Sequence, residues 1–136
     1  MDAPQPAGKA KQKAPLNAPD VYENERVSKV IEFMKQHLDS PIPLADVADF
    51  AGVTFRQLNL IFTKCTGHSA AVYWRSMRLE QARKLMADSS NSINEIATAT
   101  GFSDASHLIS WFRKQYGETP SSFRKRRREV EKLVKE

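Results

Sequence analysis

A repeat of about fifty residues constrains this chain more than any other feature. Offsetting the sequence by 49 pairs Leu44 with Ile93, Asp46 with Glu95, Val47 with Ile96, Ala48 with Ala97, Gly52 with Gly101 and Thr54 with Ser103. Beyond the turn the offset becomes 50, pairing Leu58 with Leu108, Phe62 with Phe112, Lys64 with Lys114, Gly67 with Gly117 and Tyr73 with Phe123. A period of this size means that one supersecondary unit occurs twice. In each copy a short stretch runs into a Gly and is followed by a longer stretch with apolar residues every three or four positions, the pattern of a helix-turn-helix. Ala48 and Ala97 are small where the two helices cross closely. Gly52 and Gly101 take a turn conformation that is costly for a residue with a Cβ.

The remaining segments read as helix as well, and no run of strand-like alternation interrupts them, so the fold class is all-α with seven helices. The first is opened by Asp20 with Glu23 as a capping box, carries the stripe Val27, Val30, Ile31, Met34 and Leu38, and closes before Pro41. The second spans about Leu44 to Ala51 and stops at Gly52; the third is capped by Thr54 with Gln57 and ends at Gly67. Ser69 caps a long fourth helix reaching about Ala87, and Ser92 with Glu95 opens the fifth, which stops at Gly101. Ser103 is the expected cap of the sixth, ending at Gly117, and Thr119 with Pro120 caps and starts the seventh. The resulting division is a first unit at about 20–67, a linker helix at about 69–87 and a second unit at about 92–128, followed by a basic helix end or tail at 129–136. Residues 1–19, MDAPQPAGKAKQKAPLNAP, hold almost no large apolar side chain and read as a disordered tail or interdomain linker.

Composition narrows the function. With 136 residues, multidomain enzymes are out of reach, and 21 Lys or Arg against 16 Asp or Glu give a net charge of +5, a balance that favours a polyanionic partner. Seven Lys or Arg against three Glu lie between Ser121 and Glu136. No apolar run approaches the ~20 residues of a membrane span and no secretory signal is visible, so a cytoplasmic protein is expected. Cys65, the single cysteine, cannot form an internal disulfide, and with His68 it makes half of a zinc site at best. No metal, cofactor or catalytic constellation is expected, because Cys65 lacks a recognisable histidine partner, no paired carboxylates flank a pocket signal and no Gly-rich phosphate loop exists.

Two similar helical hairpins could also make a protein-interaction module without sequence-specific DNA binding. Solenoid units stack directly, however, whereas here a helix of ~19 residues intervenes, about 28 Å at the helical rise and close to the ~34 Å of one DNA turn. Double-stranded DNA is therefore the expected partner, met in two successive major grooves by the helices at about 54–66 and 103–116.

Three segments carry a family resemblance: LADVADFAGVTFRQLNLIF in the first unit, TGHSAAVYWRSMRLEQARKLM on the linker helix, and INEIATATGFSDASHLISWFRKQYGETPSSFRK in the second unit. They resemble the DNA-binding domain of AraC/XylS-type transcription regulators, and the resemblance covers about residues 24–128. It implies a homeodomain-like tandem of two helix-turn-helix units on a central linker helix, in a bacterial regulator that is most often an activator and contacts RNA polymerase. The RLEQARKLM stretch is similar to regulators that carry an amidotransferase-like sensor domain; a small-molecule effector is implied only where such a sensor exists. The resemblance also implies a frequent Arg at the positions held here by Leu60 and Ser110, and this chain departs from it at both.

A recognition helix buries one side and offers the other to base edges. On the third helix Leu58, Ile61 and Phe62 form the expected buried side, leaving Arg56, Asn59, Leu60 and Thr63 with Phe55 toward DNA. Arg56 suits guanine, with a phosphate contact equally open; Asn59 suits adenine and Leu60 a thymine methyl. On the sixth helix Leu108, Trp111 and Phe112 should pack inward. Ser106 and His107 are the base-reading candidates, with Ser110 contributing little, while Arg113 and Lys114 suit phosphate. Thr54, Ser69, Ser103 and Thr119, at helix N-termini with free amides, and Arg126 and Arg127 in the basic run are further phosphate candidates. Tyr73, Trp74, Met77 and Leu85 read as core. Arg75, Arg78, Arg83 and Lys84 read as a solvated surface with occasional phosphate contact.

Overall fold

A computed structural model describes residues 18–135; the expected tail or linker lies, up to residue 17, outside the described residues. Among the described residues there are seven helices and no strand: α1 Val21–Gln36, α2 Leu44–Ala51, α3 Phe55–Thr66, α4 Ala70–Asp88, α5 Ile93–Ala99, α6 Ala105–Tyr116 and α7 Pro120–Lys135. The helix ends follow local chemistry. Asp20 Oδ1 accepts from the Glu23 amide at 2.8 Å, and Glu23 Oε1 from the Asp20 amide at 3.1 Å. Thr54 with Gln57 and Ser92 with Glu95 make the same reciprocal pair, each satisfying two amides that a helix start leaves without partners. The expected first helix reaches too far, because α1 stops at Gln36 and leaves Leu38 in the turn that follows. The Leu38 carbonyl accepts from a guanidinium, Arg78 Nη1, at 2.6 Å instead of from a helical amide.

The chain forms two compact units. Among the described residues the first comprises 18–36 and Ile42–Trp74. Here α1, α2 and α3 pack on one another, burying Val27, Val30 and Met34 of α1, Val47 and Ala48 of α2, and Leu58, Ile61 and Phe62 of α3. Ala48 is the small residue the helix crossing requires. Each large apolar side chain so removed from water contributes about 1.5–3 kcal/mol.

The second unit comprises His37–Pro41 and the residues from Arg75 onward. Its core is Leu79, Ala82 and Met86 of α4, Ile96 and Ala97 of α5, Leu108 and Phe112 of α6, and Phe123 of α7. Phe112 meets Tyr116 and Phe123 at ring separations of 4.7 and 5.9 Å. Arg78 overturns its expected place on a solvated surface. It is buried to 8% exposure, and its guanidinium donates to the carbonyls of Leu38, Ser40 and Thr100 at 2.6, 2.9 and 3.3 Å. A buried charge is tolerable only when its donors find acceptors, and backbone carbonyls supply them here. Gly101 lies against this guanidinium with φ +80°, and a Cβ at Gly101 would overlap Arg78 Nη1 and sit 2.6 Å from the Leu38 carbonyl oxygen. Its repeat partner Gly52 has a similar φ of +74° and nothing within 4 Å of such a Cβ.

Candidate DNA-reading surfaces

In the first unit, α3 is fixed at both ends and along one side. Thr54 Oγ1 accepts from the Gln57 amide at 3.1 Å, and Gly67 with φ +81° closes the helix through its N–H to the Thr63 carbonyl. Leu58, Ile61 and Phe62 face inward, Phe62 meets Tyr73 edge-on at 5.6 Å, and Lys64 is ion-paired with Glu23 of α1 at 3.1 Å. Opposite this anchored side, Phe55, Arg56, Leu60 and Thr63 are exposed. Arg56 has no hydrogen-bond or ion-pair partner among the described residues, so its full fork of donors is open. Leu60 is 55% exposed and Phe55 49%. Both are apolar side chains left in water on the face opposite the buried one. Thr63 directs its hydroxyl hydrogen to the Asn59 carbonyl at 2.8 Å.

Asn59 is half-buried. Its Oδ1 accepts from the Ala70 amide at 3.2 Å, so the carboxamide oxygen holds the first turn of α4 with one lone pair, while its second lone pair and the amino group remain for a ligand. An adenine contact of the bidentate kind needs both atoms, and the bond to Ala70 fixes the direction in which they can be offered.

In the second unit, α6 begins one residue later than expected. Asp104, not Ser103, is the N-cap, its Oδ1 accepting from the His107 amide at 2.9 Å. The extra residue of the second repeat is thus inserted before the cap: Thr54 is equivalent to Asp104, and Arg56 to Ser106. A carboxylate complements the positive helix start better than a hydroxyl does. Ser103 turns its hydroxyl to His107 Nδ1. Leu108 and Phe112 are fully buried, whereas Trp111, expected inside, is half-buried. Ser106, His107, Ser110, Arg113 and Lys114 are exposed, and Ser106, Ile109, Ser110, Arg113 and Lys114 line one shallow groove along the helix. Ile109, 37% exposed, is a member of this groove whose exposure follows from its position on the flank of the α6 stripe.

The basic run of α7 divides into different roles. Arg124 donates to the carbonyls of Met86, Ser89 and Asn91 at 3.1, 3.3 and 2.7 Å, tying α7 to the carbonyl-rich end of α4. Arg126 pairs with Glu118 at 2.6 Å, and this guanidinium holds the Glu118 carboxyl below its ordinary range. Arg127 is half-buried, with Lys125 and Arg128 exposed. The hydroxyls of Ser69 and Thr119 cap their helices, accepting from the Val72 and Ser122 amides at 3.3 and 3.2 Å. Met77 and Leu85 are half-buried and Trp74 is buried. Burial first, and Glu23 next, push the Cys65 thiol up from its ordinary pKa, a direction opposite to nucleophile activation. Among the described residues no cluster of metal-ligating side chains occurs, and no helix is long and apolar enough to cross a membrane.

A family model described as a helix-turn-helix domain matches residues 47–126, which contain both turns, all of α3 and all of α6. The HTH-type transcriptional regulator GlxA of Rhizobium meliloti (strain 1021) is 37% identical over 97 residues, covering 71% of this chain and 30% of the relative. The chain thus spans about a third of the length of that relative. Among solved structures, an AraC-type DNA-binding domain-containing transcriptional regulator from Chromobacterium violaceum superposes with a TM-score of 0.72 at 30% identity, over 79% of this chain and 96% of the other. The DNA-binding domain of the global transcriptional factor AdpA, solved in complex with a target DNA, superposes with a TM-score of 0.75 at 26% identity, over 77% and 95%. With the duplicated unit, the two capped and half-exposed helices and these likenesses in agreement, the chain belongs to the AraC/XylS family of helix-turn-helix transcription regulators.

Proposed function

We propose that residues 20–128 bind double-stranded DNA sequence-specifically, with α3 and α6 as the two reading helices, and that the protein activates transcription in the bacterial cytoplasm through contact with RNA polymerase. The observation that carries this reading is the repeated exposure of one face on each of two helices whose other face is buried, at equivalent places in a duplicated unit. That AdpA's similar domain was solved on its target DNA supports it. In the first unit Arg56 reads guanine and Leu60 meets a thymine methyl, with Thr63 beside them. In the second, Ser106 and His107 read base edges from the first turns of α6, and Arg113 and Lys114 neutralise phosphates. The mechanism is binding, with no chemical step. A small-molecule effector belongs to the proposal only for a protein that carries a sensor domain.

Selection of bound duplexes from a random pool tests the reading and yields the site. Enrichment of one non-palindromic sequence, with binding that weakens steeply as salt rises, is expected. A pool that stays random, or affinity indifferent to salt, would return the chain to the class of helical protein-interaction modules.

A further inference from the structure

Arg75 lies flat against Trp111, its Cζ 3.5 Å from the ring centroid, and Lys114 Nζ stands 4.8 Å from the same ring. Two cations therefore share one indole, held by the negative face of its π-system. Two other stacked guanidiniums have a carboxylate as well. Arg83, 4.7 Å from the Tyr116 ring, bonds Glu80 at 3.2 Å, and Arg126, 5.5 Å from the Phe123 ring, bonds Glu118 at 2.6 Å. Arg75 has neither a carboxylate nor a carbonyl partner among the described residues, although it is half-buried. Partial burial lowers the affinity of this guanidinium for its proton, with no anion nearby to offset it. Five N–H donors in a fixed plane, beside a lysine, present the geometry and charge that the oxygens of an anion require.

The place of this site on α6 says which anion. His107, Ser110, Trp111 and Lys114 follow the spacing i, i+3, i+4, i+7 and so share one side of the helix. The stripe that carries two reading candidates thus also carries the indole and the lysine. A helix whose polar stripe enters a major groove has backbone phosphates along its flank. We infer that Arg75, held by Trp111, and Lys114 together clamp one phosphate of the DNA backbone at the edge of the groove that α6 enters. This rests on the proposed function and adds to it a contact from α4, a helix that otherwise serves as a connector. Trp111 is in these terms a positioning residue: its half-exposed ring keeps the guanidinium flat and fixed before DNA arrives, which lowers the ordering cost of the contact.

The test measures binding of the whole chain to its selected duplex by fluorescence anisotropy, from 50 to 300 mM salt, for the wild type, Arg75→Gln, Arg75→Lys and Lys114→Gln. Loss of one phosphate contact flattens the slope of log K against log salt by about 0.9, so the disadvantage of Arg75→Gln should shrink about 3.5-fold between 50 and 200 mM salt. Arg75→Lys, which keeps the charge, should keep the slope. A second arm replaces single phosphates of the duplex by neutral methylphosphonates. One linkage should weaken the wild type while leaving Arg75→Gln indifferent. An unchanged slope in Arg75→Gln, with every methylphosphonate penalising both proteins equally, overturns the clamp and leaves the stack a packing feature of the fold. Sequence-indifferent binding with the slope difference intact would overturn the specificity in the proposed function and leave the clamp standing; absence of binding to any duplex overturns both.

Discussion

Replacing Gly101 with Ala and Gly52 with Ala compares one backbone conformation in two settings. Both glycines have φ in the left-handed region, +80° and +74°, where a residue with a Cβ costs about 1–2 kcal/mol. At Gly52 that cost stands alone, because nothing lies within 4 Å of the added atom. At Gly101 the Cβ overlaps Arg78 Nη1 and approaches the Leu38 carbonyl oxygen to 2.6 Å, so the guanidinium must move. Nη1 carries the bonds to Leu38 and Thr100, and a hydrogen bond to a charged group contributes about 1.5–3 kcal/mol. Losing both adds about 3–6 kcal/mol, which brings Gly101→Ala to about 4–8 kcal/mol, against a whole-domain stability of about 5–15. Urea unfolding followed by circular dichroism reads the difference, and should place Gly52→Ala a short way below the wild type and Gly101→Ala near or past the point of unfolding. The pair is then repeated with Arg78→Met in both. Without the guanidinium the excess cost of Gly101→Ala should fall by more than 1 kcal/mol, the mark of two residues in direct contact. Equal destabilisation by the two alanines in the wild-type background would refute the assignment of Arg78 as the clamp of this turn.

Arg56→Ala should cost about 1–3 kcal/mol on the selected duplex and relax preference at one base pair; an equal loss on a scrambled duplex would make it a phosphate contact instead. Glu118→Gln should release Arg126, tighten binding to all duplexes alike and steepen the salt slope by about 0.9, whereas unchanged binding removes Arg126 from the DNA contacts. Because the Glu118 carboxyl is held down by Arg126, the pair persists above the ordinary carboxylate range and opens as the pH falls through the lowered value, and acidification should therefore mimic Glu118→Gln. Inserting five base pairs between the two halves of the selected site turns one half by about half a DNA turn, and affinity should drop toward that of one unit; equal affinity would show that the two helices do not read DNA jointly.

What could be read from the sequence was local. The capping boxes at Asp20, Thr54 and Ser92, the glycine stops and the buried side of α3 each depend on residues within one or two helical turns, and they lie where the pattern puts them. The pattern starts the sixth helix one residue early because Ser103 and Asp104 are both acceptable caps, and the repeat alone does not say on which side of the cap the inserted residue falls. Arg78 and Arg124 look like surface cations in sequence, since their acceptors are backbone carbonyls 22 to 40 residues away, which carry no residue-type signal. Asn59 is a similar case. Its spacing marks an exposed stripe, but the amide it serves belongs to Ala70, on the next helix. The Arg75 and Trp111 stack joins residues 36 positions apart on two helices whose relative rotation no periodicity fixes.

Gly52 and Gly67 bracket α3, and neither is crowded. A new address could therefore be written into the protein by exchanging the whole segment between them, as a cassette, provided that Leu58, Ile61 and Phe62 keep their inward places and Asn59 its oxygen for α4. The corresponding segment of the second unit follows a turn moulded around an arginine, so an exchange there must also keep Gly101. The duplication is thus uneven at its turns: the glycine of one is held by its backbone conformation alone, and that of the other also by the clamp it rests on.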